Sequence, residues 1–92
     1  MSFRLFYHPD VLAVDLAKIN KNIQLIIKKA IERRLTIAPE SYGCPLARNL
    51  SGYWKLRVGD YRIVFKIVRN EVWIFAIAHR KDIYINVLKR FF

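Results

Sequence analysis

Cysteine and histidine are scarce in this 92-residue sequence, and their scarcity excludes two kinds of stabilising site. Cys44 is the only cysteine, so no intramolecular disulfide is available. Because His8 and His79 are the only imidazoles, no spacing suits a structural zinc site, and we expect neither a metal nor another cofactor. Cys44 is instead expected to be a small buried side chain.

Long apolar runs are also missing. No stretch approaches the ~18 to 20 apolar residues that a membrane span requires. The first eight residues have neither the apolar length nor the cleavage site of a secretory signal. We therefore expect a cytoplasmic protein that does not enter a membrane, with one domain over residues 1–92.

Acidic residues are few. Asp and Glu total 7 against 17 Lys and Arg, which gives a formal net charge of +10 and a pI near 10.2. A field of this sign attracts nucleic acid, an anionic membrane surface or an acidic protein. The hydrophobic fraction of 54% is also more than the modest core of so short a chain needs. A binding partner is therefore expected.

Residues 52–65 predict two short strands joined by a tight turn at Gly59-Asp60. One face of this hairpin is then apolar and the other is cationic. Two arginines directly opposite each other repel, which costs up to ~1 kcal/mol relative to a neutral pair. Because folding gains nothing from this, we interpret the pair as an anion site; the alternative is two solvent-exposed guanidinium groups. The predicted pairs are Val58–Tyr61, Arg57–Arg62, Leu56–Ile63, Lys55–Val64 and Trp54–Phe65.

The next run, residues 71–79, is apolar at both alternating phases until His79, as in a strand that is covered on both sides. A two-residue turn at positions 70–71 predicts that Arg62 lies opposite His79. Three neighbouring strands then carry Arg57, Arg62 and His79 in one row. An imidazole beside fixed cations suits chemistry on phosphate. A shift of either turn by one residue would turn a whole strand over.

The remaining segments predict an α+β fold. Residues 3–7 indicate an edge strand, and Asp10 is expected to cap a helix that ends at Ile19. A second amphipathic helix, whose apolar stripe includes Ile26, runs from Ile23 until Pro39 stops it.

These two helices form a hairpin that is expected to cover the apolar face of the strands, while the cationic face stays open. Residues 40–50 predict a loop across the sheet edge that borders a cleft, and residues 83–92 predict a short C-terminal helix. The N-terminal strand and a three-stranded antiparallel meander together make a four-stranded sheet.

Two segments of the sequence resemble the RelE/ParE superfamily of bacterial and archaeal toxins from type II toxin–antitoxin pairs. They are Pro45-Leu46 with residues 50–65, and residues 78–84. The L-R-x-G-D-Y-R hairpin followed by H-R-x-D-x-Y is the specific part of the likeness, and the order of predicted elements fits a RelE-like fold over nearly the whole chain. In this family, RelE-type members cut translated messenger RNA in the ribosomal A site. ParE-type members inhibit DNA gyrase and lack the nuclease residues.

The resemblance implies catalytic roles for five residues. Lys55, Arg57 and Arg62 lie where RelE-like enzymes carry hairpin cations. His79 lies where several members carry a catalytic imidazole, and Tyr84 lies at the matching tyrosine. No residue clearly matches the glutamate that some relatives use as general base, so the base stays unassigned.

Metal-free RNA cleavage by attack of the 2′-hydroxyl on the adjacent phosphate needs a base, cations for the phosphorane oxygens and an acid. Arginine suits the charge-stabilising role, because its guanidinium fork matches phosphate oxygens and does not titrate. His79 is expected to act as general acid or base, and Tyr84 to stack on a base or transfer a proton. Arg80, Lys81 and Lys66 are expected to bind the RNA backbone.

Three functions stay open at this point. The first is a ribosome-dependent messenger-RNA endonuclease whose partners are the ribosome, the message and a small acidic antitoxin, with which it forms a hetero-oligomer. The second is a ParE-like gyrase inhibitor without nuclease chemistry. The third is a non-catalytic RNA-binding or ribosome-binding module.

Overall fold

A five-stranded sheet forms the centre of the computed structural model, which describes residues 2–91. In chain order the strands are β1 (Arg4–Tyr7), β2 (Cys44–Pro45), β3 (Tyr53–Val58), β4 (Tyr61–Val68) and β5 (Glu71–His79). Their spatial order is β1-β5-β4-β3-β2. β1 runs parallel to β5, and the other neighbouring pairs are antiparallel. The α+β class, the edge position of β1 and the β3-β4-β5 meander are confirmed.

The fifth strand is an addition to the predicted four. Cys44 pairs with Lys55 and Pro45 pairs with Trp54, so the segment predicted as a loop joins the ladder for two residues. Chain that lies along a sheet edge can satisfy the unpaired backbone groups there. Cys44 is exposed on this edge, and the prediction that it is buried is wrong.

Helical segments fill most of the chain between β1 and β2, and one helix follows β5. A π-type turn (Val11–Asp15) and a 3₁₀ turn (Leu16–Lys18) come first. Next is α1 (Lys21–Ala30), which continues as a π-type turn (Ile31–Leu35), and then α2 (Pro39–Tyr42). A 3₁₀ turn (Arg48–Leu50) precedes β3, and α3 (Ile83–Phe91) follows β5. The first member of the predicted helical hairpin is therefore shorter and less regular than expected.

The helix starts differ from the prediction. Asp10 makes no capping bond through its side chain; its backbone N–H donates to Nδ1 of His8 at 3.0 Å. The residue that caps is Asn20, whose side chain accepts from the N–H of Asn22 at 2.8 Å. Because this cap satisfies one of the free N–H groups at the helix start, α1 begins two residues before the predicted Ile23.

The first core lies between one face of the sheet and the segments around α1. Each large aliphatic side chain that it buries contributes roughly 1.5–3 kcal/mol. The predicted contact between the helices and the apolar face of the hairpin is confirmed. Ile26 is 56% exposed, and its place in the predicted buried stripe is wrong. Its neighbour Ile27, which belongs to the same predicted stripe, faces the sheet. The buried residues of this core are Val11, Ile19, Ile27, Ile31, Leu35, Leu56, Ile63, Phe65, Val72, Ile74 and Ile77.

A second, smaller core lies on the opposite face, under α3. This face was expected to stay open, and that expectation is wrong. Val64 on β4 and the small Ala76 and Ala78 on β5 pack against Ile83 and Val87 of the helix. Because α3 covers this face and the segments around α1 cover the other, β5 is buried on both sides. This explains why residues 71–79 are apolar at both alternating phases.

The pairing of β4 with β5 also differs from the prediction. The turn comprises Arg69 and Asn70, one residue earlier than expected, so that Val68 pairs with Glu71. The register shifts between Val64 and Phe65, as in a β-bulge. Together these two changes leave His79 opposite Tyr61 and Arg62 opposite Ala78. The predicted row of Arg57, Arg62 and His79 is therefore wrong.

Within residues 2–91, none of the helices has the length and apolarity that crossing a membrane requires.

Candidate functional site

The cationic side of the β3–β4 hairpin keeps the predicted register. Arg57 lies opposite Arg62, and Lys55 lies opposite Val64 on the same face. Arg62 is half-buried, and its Nη1 donates to the carbonyl oxygens of Gly59 and Tyr61, each at 2.9 Å. These carbonyls hold one guanidinium group close to the turn.

Arg57 is the more accessible of the two arginines. Its side chain is exposed, and among the described residues no side-chain hydrogen bond involves it. An exposed guanidinium beside a second, anchored guanidinium provides several N–H donors at one place. This arrangement matches the geometry of phosphate oxygens.

Tyr84 joins this side of the sheet from α3. Lys55 Nζ donates to Tyr84 Oη at 3.1 Å and lies 5.8 Å from the centroid of the tyrosine ring. The buried Ile83 and Val87 fix the helix against the sheet, so that Tyr84, 44% exposed, points along the surface towards Lys55. Lys55, Arg57, Arg62 and Tyr84 are called the cationic cluster below.

His79 lies outside the cationic cluster. In β5 its side chain points to the face opposite that of Ala78 and Arg62, because successive side chains alternate. Its ring meets that of Tyr61 edge to face at 5.6 Å, and Nδ1 accepts from the N–H of Lys81 at 3.2 Å. An accepting Nδ1 leaves the proton of the neutral imidazole on Nε2.

A polar cavity of about 310 Å³ adjoins this imidazole. Asp15, Lys18, Asp82 and Asn86 line it together with His79. Both signs of charge are present there, unlike in the cationic cluster. The cavity is therefore less suited to a phosphate than the hairpin is.

The three predicted RNA-backbone residues are exposed but do not lie together. Arg80 follows β5, and its backbone N–H donates to the carbonyl oxygen of Asp60 at 2.7 Å, which brings Arg80 and Lys81 next to the hairpin turn. Lys66 lies over the ring of Tyr53 at 5.5 Å. It is four residues along β4 from Arg62, or about 13 Å.

Asp15 and Arg90 form a buried ion pair that the sequence reasoning missed. Asp15 is 5% exposed; its Oδ2 accepts from the N–H of Ile77 and from Arg90 Nη1, and its Oδ1 from Arg90 Nη2, each at 2.9 Å. Arg90 Nη1 also donates to the carbonyl oxygen of Phe75 at 2.7 Å. The hydrogen bond to Asp15 raises the pKa of Arg90, although burial acts in the opposite direction.

This pair attaches α3 to β5 and to the first helical turn, and so it positions Tyr84. A signal for it is present in the sequence. Asp15 follows the buried Val11 by four residues, and Arg90 follows the buried Val87 by three. Both charged residues therefore lie on apolar helix faces, where an isolated charge would be costly.

Known proteins that resemble this chain are toxins of toxin–antitoxin pairs. The family model of the ParE toxin of type II toxin-antitoxin systems (parDE) matches residues 5–84. Among curated protein sequences, none is significantly similar to the chain.

Among solved structures, the toxin-antitoxin complex RelBE2 of Mycobacterium tuberculosis contains a chain 26% identical to this one, with a TM-score of 0.81 over 89% of this chain and 95% of that chain. A mutant of the E. coli toxin RelE in the free state is 18% identical, with a TM-score of 0.73 over the whole of both chains. The RelB-RelE complex of Methanococcus jannaschii has a chain that is 20% identical, with a TM-score of 0.55 over 94% of this chain and 98% of that chain. The last two likenesses concern the fold.

Proposed function

The chain belongs to the ParE toxin family of type II toxin–antitoxin systems, and we propose that this toxin acts by cutting messenger RNA on the ribosome in the cytoplasm. The observation that carries the proposal is the cationic cluster. It places two arginines, a lysine and a tyrosine hydroxyl on one accessible surface. Folding alone does not explain like charges in direct opposition.

Each member of the cluster suits one part of metal-free RNA cleavage. Arg57 and Arg62 would bind the scissile phosphate and stabilise the charge that grows on its oxygens in the transition state. Lys55 would hold the Tyr84 hydroxyl close to the same phosphate through their hydrogen bond of 3.1 Å. Tyr84 would then move a proton or stack on a base.

His79 is the second proton-transfer candidate. Its position on the other face of β5 and its contact with Tyr61 favour Tyr84 over it. A role for His79 would require the RNA to pass around the end of β5, where Arg80 and Lys81 are exposed. The experiment below therefore tests both side chains.

The proposed partner is a small acidic antitoxin that covers the cationic cluster or displaces α3. The M. tuberculosis and M. jannaschii structures are complexes of toxin and antitoxin. The net charge of +10 favours an acidic protein. An apolar groove of about 700 Å³, lined by Leu12 and Leu25 with Lys21 and Lys28 among its polar residues, adds apolar surface that an amphipathic segment could cover in a hetero-oligomer.

The second candidate is a gyrase inhibitor. The matching family model is that of ParE, and the separation of His79 from Arg57 and Arg62 removes one feature that favoured a nuclease. A non-catalytic module that binds RNA or the ribosome would use the same cationic cluster without proton transfer.

Primer extension on a defined message in a reconstituted translation reaction distinguishes these functions. We expect the wild-type protein to make discrete cuts that depend on ribosomes. Arg62→Ala and Tyr84→Phe should reduce the rate by about 10²-fold or more, in the range that one catalytic group supplies. Arg33→Ala, an exposed arginine on the turn after α1, is the control for loss of one charge.

His79→Ala is the fourth variant. A loss equal to that of Tyr84→Phe would assign proton transfer to the imidazole, whereas an unchanged rate would make it structural. Intact message with the wild-type protein would reject the nuclease, and inhibition of gyrase supercoiling would then support the second candidate.

A further inference from the structure

A cavity of about 540 Å³ lies beside the Lys55–Tyr84 pair and is separate from the polar cavity at His79. Lys55 and Tyr84 line one side of it, and Leu88 of α3 continues that side. The other side is the chain between β2 and β3, from which Leu46 and Arg48 take part. None of the described residues that line the cavity is acidic.

The wall formed by the chain before β3 is fixed to the sheet. Cys44 pairs with Lys55, and the N–H of Leu46 donates to the carbonyl oxygen of Tyr53 at 2.9 Å. Leu50, at the end of the 3₁₀ turn, is buried in the core under α3. The cavity therefore has a pre-formed shape, as ligand sites of this volume usually do.

Arg48 is the only arginine among the polar residues that line the cavity, which also include Asn49, Lys55 and Tyr84. Its side chain is exposed, and its φ of 60° lies in the left-handed region that non-glycine residues rarely adopt. The turn holds the backbone in place, because the N–H of Ser51 donates to the carbonyl oxygen of Arg48 at 3.1 Å. Non-glycine residues in such conformations cluster at functional sites.

We propose that this cavity binds one nucleobase of the RNA and that Arg48 contacts the edge of that base. The inference deepens the proposed function and rests on it. Lys55 belongs both to the cavity and to the cationic cluster, and Arg57 is two residues further along β3, or about 7 Å. One nucleotide can therefore place its phosphate at the arginines and its base in the cavity.

The lining suits a base rather than a second phosphate. The tyrosine ring and the side chains of Leu46 and Leu88 provide flat and apolar contacts, on which a splayed base can stack. A guanidinium group only donates hydrogen bonds, so it distinguishes bases by the acceptor atoms they present. Arg48 is thus a specificity-determining residue in this site.

NMR titration of the wild-type protein with the four ribonucleoside 3′-monophosphates tests this assignment, with inorganic phosphate as the reference ligand. We expect the methyl signals of Leu46, Leu50 and Leu88 to shift with the nucleotides and to differ from base to base. Inorganic phosphate should shift signals of the cationic cluster only. Identical responses to phosphate and nucleotides would overturn the proposal.

Arg48→Gly is the decisive variant, because glycine adopts the left-handed backbone of this position without strain. In Arg48→Gly, the ratio of affinities between the best-bound and the worst-bound nucleotide should fall about tenfold. Arg33→Ala should leave this ratio unchanged. A base preference that survives in Arg48→Gly would overturn the role of Arg48.

A cleavage assay of the same wild-type sample separates the two proposals. Methyl responses without RNA cleavage would reject the nuclease and keep the base site. Cleavage without methyl responses would reject the base site and keep the nuclease.

Discussion

At the scale of single residues, the Asp15–Arg90 ion pair is important for stability, although neither residue has an expected catalytic role. Asp15 is the only buried charged side chain among the described residues. Both of its oxygens accept hydrogen bonds, from the backbone of β5 and from the guanidinium group on α3. A buried pair of this kind contributes little compared with apolar packing, but removal of one partner leaves an uncompensated charge.

We predict that Asp15→Ala lowers the free energy of unfolding by about 3 kcal/mol. This is a large part of the 5–15 kcal/mol that is typical of a domain. The physical reason is that Arg90 loses its buried charge partner and the N–H of Ile77 loses its acceptor. Urea denaturation followed by circular dichroism measures the change.

Asp10→Ala is the matched control. Asp10 Oδ2 lies 3.7 Å from Arg90 Nε, but the side chain of Asp10 is half exposed. It should cost less than about 1 kcal/mol. Equal losses in the two variants would show that burial of Asp15 does not strengthen the contact.

Tyr7 supports a prediction about pH. Burial, and secondarily the negative charge of Glu32, raises the pKa of Tyr7 above its ordinary value. The folded state then keeps the phenol proton at pH values where the unfolded chain has released it. The stabilisation is therefore complete below about pH 10 and is lost as pH rises above that value.

Tyr7→Phe should remove the part of the stability loss at high pH that comes from ionisation of this phenol. We expect the stability difference between wild type and Tyr7→Phe to change between about pH 8 and about pH 11, in favour of the variant at the higher pH. Urea denaturation at several pH values gives this difference directly. A difference that stays constant over the range would contradict the assignment.

At the scale of elements, the two hairpins show what sequence reasoning can and cannot reach. The β3–β4 register was predictable because Gly59 has a positive φ of 58° in the turn, where glycine is the expected residue. The β4–β5 turn places Arg69 at a φ of 57° instead. Arginine rarely adopts such a conformation, so the residue type at position 69 does not indicate it, and the register shift after Val64 leaves no pattern in the sequence.

The same difference explains which parts of the candidate site were predictable. Lys55, Arg57 and Arg62 lie in the hairpin with the predictable turn, and their common face is confirmed. The predicted position of His79 depended on the second turn and is wrong. The cavity at Arg48 depends on how α3 and the chain before β3 pack together, which local patterns do not determine.

The strained turn predicts a stabilising substitution. A left-handed conformation costs a non-glycine residue roughly 1–2 kcal/mol. Glycine adopts it without strain, but it loses more backbone entropy on folding, and this offsets part of the gain. Arg69→Gly should therefore stabilise the protein by up to about 1 kcal/mol, or raise Tm by several degrees, as calorimetry can measure. Arg69→Ala removes the same charge but keeps the strain, so it should show no such gain; an equal gain in Arg69→Ala would assign the effect to charge.

At the scale of the whole molecule, the net charge of +10 complicates any test of the cationic cluster. A strongly positive protein attracts RNA over its entire surface, and this attraction weakens as salt screens it. Loss of activity after removal of one arginine is therefore ambiguous. The salt dependence of binding separates a local phosphate contact from the general field, because each phosphate contact releases bound counterions.

For a single-stranded RNA, log K falls with log salt concentration by about 0.7 per neutralised phosphate. We predict that Arg57→Gln weakens binding and makes this slope shallower by about 0.7, because one phosphate contact is lost. Arg33→Gln changes the net charge by the same amount on the turn after α1, which packs on the other face of the sheet, and should leave the slope unchanged. Fluorescence anisotropy with a labelled oligonucleotide between low and physiological salt measures both variants. If both reduce the slope equally, RNA is held by the overall charge, and the opposition of Arg57 and Arg62 does not form a phosphate site.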